Sequence, residues 1–294
     1  MIFAALFFLI VLLFFPSAAL AGSRYGLSLW LTELVPVLIP FFIAIRLFQF
    51  CVPQLANRRP FLLCGLLCGY PGGAAITVSQ YKSGLLTRSK AYFYLGFANN
   101  PSPMFTLVFC GQSILSLSVT QSACLLALNI GASFLGSFFC YLFLKRFIKD
   151  NAYLPEHPSV ALPAGQKSSF SSRMLDDIIL KSFETLVKIG GYVIIFSILG
   201  QLFHSFFHQS AAATLGSGIL EISSGASYLK DAPFSLHAKK VLMSGILAFG
   251  GFSAAFQTNS ILAESELSIF PYLLIKTVNS LCAIMLSLLL TCIF

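Results

Sequence analysis

The sequence predicts an all-α, polytopic membrane protein made of two inverted-topology repeats, each carrying a re-entrant hairpin and a broken helix. Three observations lead there. Of the 294 residues, 57% are hydrophobic and only 10% charged, and mean hydropathy is +0.87; a soluble domain carries about 25% charged residues. Apolar runs long enough to span a bilayer, roughly 20 residues each, recur along the chain. They are continuous, whereas a transmembrane barrel needs alternating segments of about 10 residues. Finally, helix-breaking strings interrupt these runs at corresponding places in the two halves.

The elements follow in order. A first helix is expected over about 2–20, within an N-terminal transmembrane segment 1–27. Its end, Ala19-Leu20-Ala21, resembles a signal-peptidase site, but a basic n-region is missing and the apolar run is long, so a retained helix is expected. The first repeat occupies 28–146. It opens with a helix over about 28–52 that contains Pro36 and Pro40, with Glu33 and Arg46 towards its ends. A hairpin over about 61–82 turns at Gly69, Tyr70, Pro71, Gly72 and Gly73. A segment over about 90–112 is broken at "NNPSP", Asn99 to Pro103, and a long helix over about 116–146 closes the repeat.

A polar stretch over 147–172 with Pro155, Pro158 and Pro163 reads as a cytoplasmic linker. The second repeat, 173–294, starts with an amphipathic "RMLDDIILKSFETLVK" and a helix over about 184–207. An interrupted stretch "LGSGILEISSGASYL" (215–229), a segment over about 238–262 broken at "FGGFSAAFQTNS", and a helix over about 270–293 follow. Aligned by eye, Gly65 falls on Gly218, Gly72 on Gly225, Cys68 on Glu221, Asn99-Asn100-Pro101-Ser102 on Gly250-Gly251-Phe252-Ser253, and Phe105 on Phe256. Arg58, Arg59, Lys82, Arg88, Lys90, Lys145, Arg146, Lys149, Lys167 and Arg173 gather on one side of this topology, which marks the cytoplasm and makes the repeats inverted. The arrangement leaves Lys230, Lys239 and Lys240 outside. Inverted repeats with broken helices point to a secondary transporter whose site lies near the midplane.

Non-helical backbone at membrane depth is tolerated only where protein buries it or it lines a cavity. Half-helices starting after each break would aim free N–H groups and partial positive charge inwards, which suits a carboxylate or phosphate. Small residues also let helices pack closely, but breaks in corresponding pairs point to a substrate site. Its expected members are Gly69, Tyr70, Pro71, Gly72, Gly73, Asn99, Asn100, Ser102, Glu221, Ser223, Ser224, Gly225, Gly250, Gly251, Ser253 and Gln257. Glu221 is an ionisable group inside a membrane segment, which marks function by default. Binding of a coupling H+ or Na+, orientation of a substrate donor, and pairing with free backbone N–H groups all remain open for it.

Other signals have simpler readings. Arg46 reads as snorkelling to the interface, His204 and His208 as interfacial, and Glu184 with Lys188 as an i, i+4 ion pair. The eight cysteines read as buried small hydrophobes, with no nearby His or acid to complete a metal site. A net charge of +8 is spread over short loops, so no nucleic-acid partner is expected. No P-loop, GxSxG or HExxH string occurs, and no enzyme is expected.

Five segments in order, "GLSLWLTELVPVLIPFFIAI" (26–45), "CGYPGGA" (68–74), "FANNPSPMF" (97–105), "GILEISSGA" (218–226) and "AFGGFSAAFQT" (248–258), resemble the sporulation integral membrane protein family of the nucleoside-recognition, or Gate-domain, superfamily. That family includes a stage V sporulation protein implicated in moving dipicolinic acid from mother cell towards forespore. This chain departs from it in a shorter central linker and in "NNPSP" where an Asn-x-Ser-Gly-Pro-like string is usual. The resemblance implies a fold related to concentrative nucleoside transporters and a small organic anion, dipicolinic acid, as cargo. It also implies a multi-pass bacterial cell membrane location, in the mother-cell-derived membrane around the forespore. No resident cofactor is expected, with H+ or Na+ left open as coupling ion and a homo-oligomer left open as assembly. A nucleoside or nucleobase cargo, and a non-transporting scaffold in spore-envelope assembly, stand as alternatives.

Overall fold

The structure is a computed structural model that describes residues 2–51, 61–148, 172–207, 211–263 and 265–290. It is all-helical, and among the described residues five stretches are long and apolar enough to cross a membrane: Pro16–Ala44, Val119–Phe147, Ser172–Phe207, Leu236–Leu262 and Ile269–Leu289. Large apolar side chains such as Phe139, Phe143, Leu281 and Met285 stand on the outside. Hydrocarbon as the surrounding solvent removes the cost of that exposure.

α1 spans Ile2–Phe14 and α2 spans Pro16–Ser28. The chain therefore breaks at Phe15 (φ −126°, ψ 55°), earlier than the gap after residue 20 expected from the apolar run. Pro16 lacks an N–H and pushes the preceding residue out of the α region. Gly22 and Gly26 lie inside α2, where they let its backbone meet α8. A Cβ on Gly22 would fall 2.6 Å from the Ile198 Cα. A π-helical stretch, Leu29–Leu34, joins α2 to α3, Val35–Cys51. Its wide turn, closed by Val35 N–H on the Trp30 carbonyl, comes directly before Pro36, which cannot donate to a helical partner. The Trp30 indole donates to the Leu186 carbonyl of α8 at 3.0 Å. Trp30→Phe should lose this second bond to a carbonyl already engaged within α8 and cost about 0.5–1.5 kcal/mol, read from thermal unfolding in detergent.

The rest alternates long helices with interrupted ones. α4 (Phe61–Cys68) and α5 (Gly72–Lys82) form one helix pair. α6 (Arg88–Ala98) is followed by a π-helical stretch at Phe105–Ile114, and then by α7 (Val119–Phe147). After α8 (Ser172–Phe207), α9 (Ala211–Leu220) and α10 (Ile222–Asp231) form a second pair. α11 (Leu236–Phe249) and α12 (Gly251–Leu262) are split at Gly250, and α13 (Ile269–Leu289) closes the described chain. Each pair folds back on itself. A Cβ on Gly65 would lie 3.2 Å from the Gly73 Cα, and one on Gly225 would lie 2.1 Å from the Gly218 Cα. Residues seven or eight apart on a continuous helix would be separated by about 11 Å.

Two hydrophobic clusters hold these parts together. One joins α5, α6, α12 and α13 to the C-terminal part of α7, around Tyr81, Leu95, Tyr272 and Ile275. The other joins α10, α11, the Phe105–Ile114 stretch and the start of α7 to α3 and α8, around Phe109, Leu125, Leu186 and Leu229. The linker expected at 147–172 lies, apart from its edges, outside the described residues.

Candidate functional site

The four breaks open onto one cavity. Gly69 and Tyr70 come from the first, Pro101 and Ser102 from the second, Glu221 from the third, and Ser253 with Ala254 from just after the fourth. Leu38 of α3 and Val193 of α8 face them. The cavity holds about 510 Å³ of empty space, its mouth included. Of the residues expected in the site, Gly69, Tyr70, Ser102, Glu221, Ser223, Ser253 and Gln257 line it.

The helix starts around it are not equivalent. At α10, Glu221 is the N-cap: its Oε1 accepts from Ser223 N–H at 2.9 Å and its Oε2 from Ser224 N–H at 2.6 Å. Glu221 thus makes the backbone pairing that was one of the roles open for it, and its carboxylate occupies this helix N-terminus. At α5 the Asn99 Oδ1 accepts from Ala74 N–H at 3.1 Å. Before the π-helical stretch, the Ser102 Oγ accepts from Phe105 N–H at 3.2 Å. The start of α12 differs: Gly250 adopts a left-handed φ of 85° and no side chain caps the helix. Only glycine takes that conformation at little cost. The Ser253 and Gln257 side chains, on the first two turns of α12, line the cavity.

Behind Tyr70 lies a second polar cluster that the sequence reading missed. Lys276 of α13 is fully buried. Its Nζ donates to Asn100 Oδ1 at 2.7 Å and to the Asn99 carbonyl at 3.4 Å, and lies 5.4 Å from the centre of the Tyr70 ring. No carboxylate pairs with it among the described residues; the ion pairs found there are Lys181–Asp177 and Lys188–Glu184. Asn99 Nδ2 donates to Thr258 Oγ1 at 2.9 Å and to Tyr272 OH at 3.1 Å. The Tyr70 hydroxyl approaches Tyr272 without a well-formed hydrogen bond. The available signal was a lone lysine in the apolar "IFPYLLIKTVNSLCAIMLSLL", which the rule for ionisable residues in spans flags.

The remaining expected site residues have other surroundings. Asn99 and Asn100 belong to this second cluster, and Pro71 is the N-cap of α5. Gly72 packs on Cys68 and Gly73 on the Ala98 carbonyl. Ser224 Oγ bonds Ser197 Oγ at 2.7 Å, Gly225 meets Gly218, and Gly251 sits against the Glu221 backbone. Arg46 donates to Thr185 Oγ1 at 2.9 Å on α8, and Lys188 meets Glu184 at 2.7 Å as its spacing predicts. Cys64 and Cys68 form no disulfide, and among the described residues no group of three His, Cys, Asp or Glu is placed to hold a metal. His208 lies outside the described residues.

Apolar helices of spanning length, an apolar exterior and a polar-edged cavity among broken helices define an integral, multi-pass helical membrane protein. The chain is a distant homologue of the sporulation integral membrane protein YlbJ of Bacillus subtilis (strain 168). The two are 24% identical over 316 aligned positions, which take in 91% of this chain and 76% of that protein. No family model and no solved structure matches the chain.

Proposed function

We propose that this chain is a secondary transporter of a small organic anion, and not an enzyme, built as two inverted repeats whose helix pairs α4–α5 and α9–α10 are re-entrant hairpins. The observation that carries the reading is the convergence of four helix breaks on one cavity. Backbone that leaves the helix inside a membrane needs such a setting, and midplane sites between repeats are built this way. The two hydrophobic clusters add support. Exchanging α5 for α10, α6 for α11, α12 for the Phe105–Ile114 stretch and α13 for α7 relates most elements of one core to elements of the other, with α3 and α8 joining only one of them. The seven expected residues that line the cavity, Gly69, Tyr70, Ser102, Glu221, Ser223, Ser253 and Gln257, form the substrate site, in which Glu221 shapes the wall and the uncapped start of α12, with Ser253 and Gln257, receives the anion.

Dipicolinate is the proposed cargo, from the family resemblance, and the membrane around the forespore the proposed location, to which the sporulation-named homologue lends support. A second reading, a nucleoside or nucleobase cargo, draws on the neutral lining of Ser102, Ser223, Ser253 and Gln257 beside an acid. Hydroxyl and amide groups read neutral polar edges at least as well as they read a dianion.

Uptake of labelled dipicolinate into proteoliposomes carrying the purified protein, with uridine in parallel, is the test. Saturable dipicolinate uptake is the expected result. Uridine uptake without dipicolinate uptake would establish the second reading, and uptake of neither under either direction of gradient would overturn the transporter proposal.

A further inference from the structure

The arrangement around Lys276 is that of a cation site with its cation built in. α6 ends at Ala98, so its last carbonyls have no partner further along the helix and carry the negative end of the dipole. The Lys276 Nζ sits there, against the Asn99 carbonyl and the Asn100 Oδ1. The Asn100 amide is held in place because its Nδ2 donates to the Phe97 carbonyl at 2.6 Å. Its oxygen is thereby fixed towards Lys276, and takes a further bond from Ser133 Oγ at 3.2 Å. The face of Tyr70 completes the surroundings, with Nζ 5.4 Å from the ring centre, within cation–π reach. These are neutral oxygens at a half-helix C-terminus plus an aromatic ring, the donors that hold a monovalent coupling ion in broken-helix transporters.

A lysine that served packing alone would be poorly placed here. Taking its charge out of water is costly, and an apolar side chain of similar volume would do as well or better. Nor does an acid compensate it, since no carboxylate pairs with Lys276 among the described residues.

We propose that the Lys276 ammonium is a tethered cation that occupies the position of a coupling Na+ at the C-terminal end of α6, so that the protein works without sodium. Coupling in this sense rests on the transporter reading; the ligation of the ammonium does not. Tyr70 gives the arrangement its link to the cargo, because the same side chain lines the cavity. A cargo that displaces the Tyr70 ring takes away one wall of the cation site.

The test is thermal unfolding of the full-length protein in detergent, in choline chloride, NaCl and methylammonium chloride at equal ionic strength. The wild type should unfold at the same temperature in all three, and Lys276→Ala should unfold earlier in choline and recover by several degrees in NaCl or methylammonium. An alanine variant that responds identically to the three salts would overturn the proposal, as would a wild type stabilised by Na+ over choline. Should Lys276→Ala yield no folded protein, Lys276→Met decides, since it keeps the volume and removes the cation. An unfolding temperature below that of the wild type is expected, because the Asn99 carbonyl and Asn100 Oδ1 lose their cationic partner, and an unchanged or raised one overturns the assignment. These readouts do not require cargo uptake, so failure of the proteoliposome assay and failure of this proposal are separate results.

Discussion

Glu221→Ala should destabilise the protein by about 3 kcal/mol, the largest effect expected of any single change in the cavity wall. Two buried N–H groups, those of Ser223 and Ser224, lose carboxylate acceptors now at 2.9 and 2.6 Å. Each unpaired buried donor costs about 1–3 kcal/mol, and charge-assisted bonds stand at the upper end of hydrogen-bond strengths. A carboxylate at a helix start also loses its favourable interaction with the dipole, roughly 0.3–2 kcal/mol.

Substitutions of graded chemistry separate the cap from any role in transport. Glu221→Gln keeps one acceptor oxygen but turns an N–H group towards a backbone N–H, so an intermediate loss of about 1–2 kcal/mol is expected. Glu221→Asp retains both charge and capping ability, Asp being among the preferred N-cap residues, and should fall closest to wild type. Thermal unfolding in detergent ranks the three. Uptake measured on the same samples then has a clear meaning. An Asp variant that is stable but inactive would place the carboxylate in the transport cycle, and an active Gln variant would confine Glu221 to capping.

The broad architecture was legible because membrane insertion leaves a coarse signature: long apolar runs, and Gly, Pro, Asn and Ser where helices stop. The break at Gly69 to Pro71, the one after Ala98, the one at Glu221 and the one at Gly250 were all visible as such strings. What a string does once folded was not. Asn99 and Glu221 both stood beside breaks, Glu221 as the marked ionisable group, yet Asn99 ties α5 to α12 and α13 while Glu221 closes the start of α10. Those assignments depend on which segments meet in space. The break at Phe15 was missed because the apolar run continues through it, and the helical course of Gly22 and Gly26 because the α8 backbone that lies where their side chains would be is remote in the chain. Lys276 escaped because its partners, Asn99 and Asn100, stand more than 170 positions away in the chain. π-helical turns leave no periodicity signal of their own; only the proline after one of them gave a hint.

Gly225→Ala carries the other large effect, and for a reason no side-chain rearrangement relieves. A Cβ at this position would lie 2.1 Å from the Gly218 Cα and 2.5 Å from the Gly218 nitrogen. Both are backbone atoms, so α9 and α10 must move apart, at a cost of about 3 kcal/mol, the upper part of the usual range for overpacking. Gly131 on α7 is the matched control. A Cβ there meets nothing within 4 Å, and replacing a mid-helix glycine by alanine gains up to about 1 kcal/mol of helix propensity. Unfolding in detergent should therefore come earlier for Gly225→Ala and no earlier for Gly131→Ala. Spreading this helix pair also shifts Glu221, which closes it, and with it one wall of the cavity. Under the transport proposal uptake should fall in Gly225→Ala even at temperatures where the protein stays folded. If Gly225→Ala were as stable and as active as Gly131→Ala, the close crossing of α9 and α10 would not be what holds the cavity in shape.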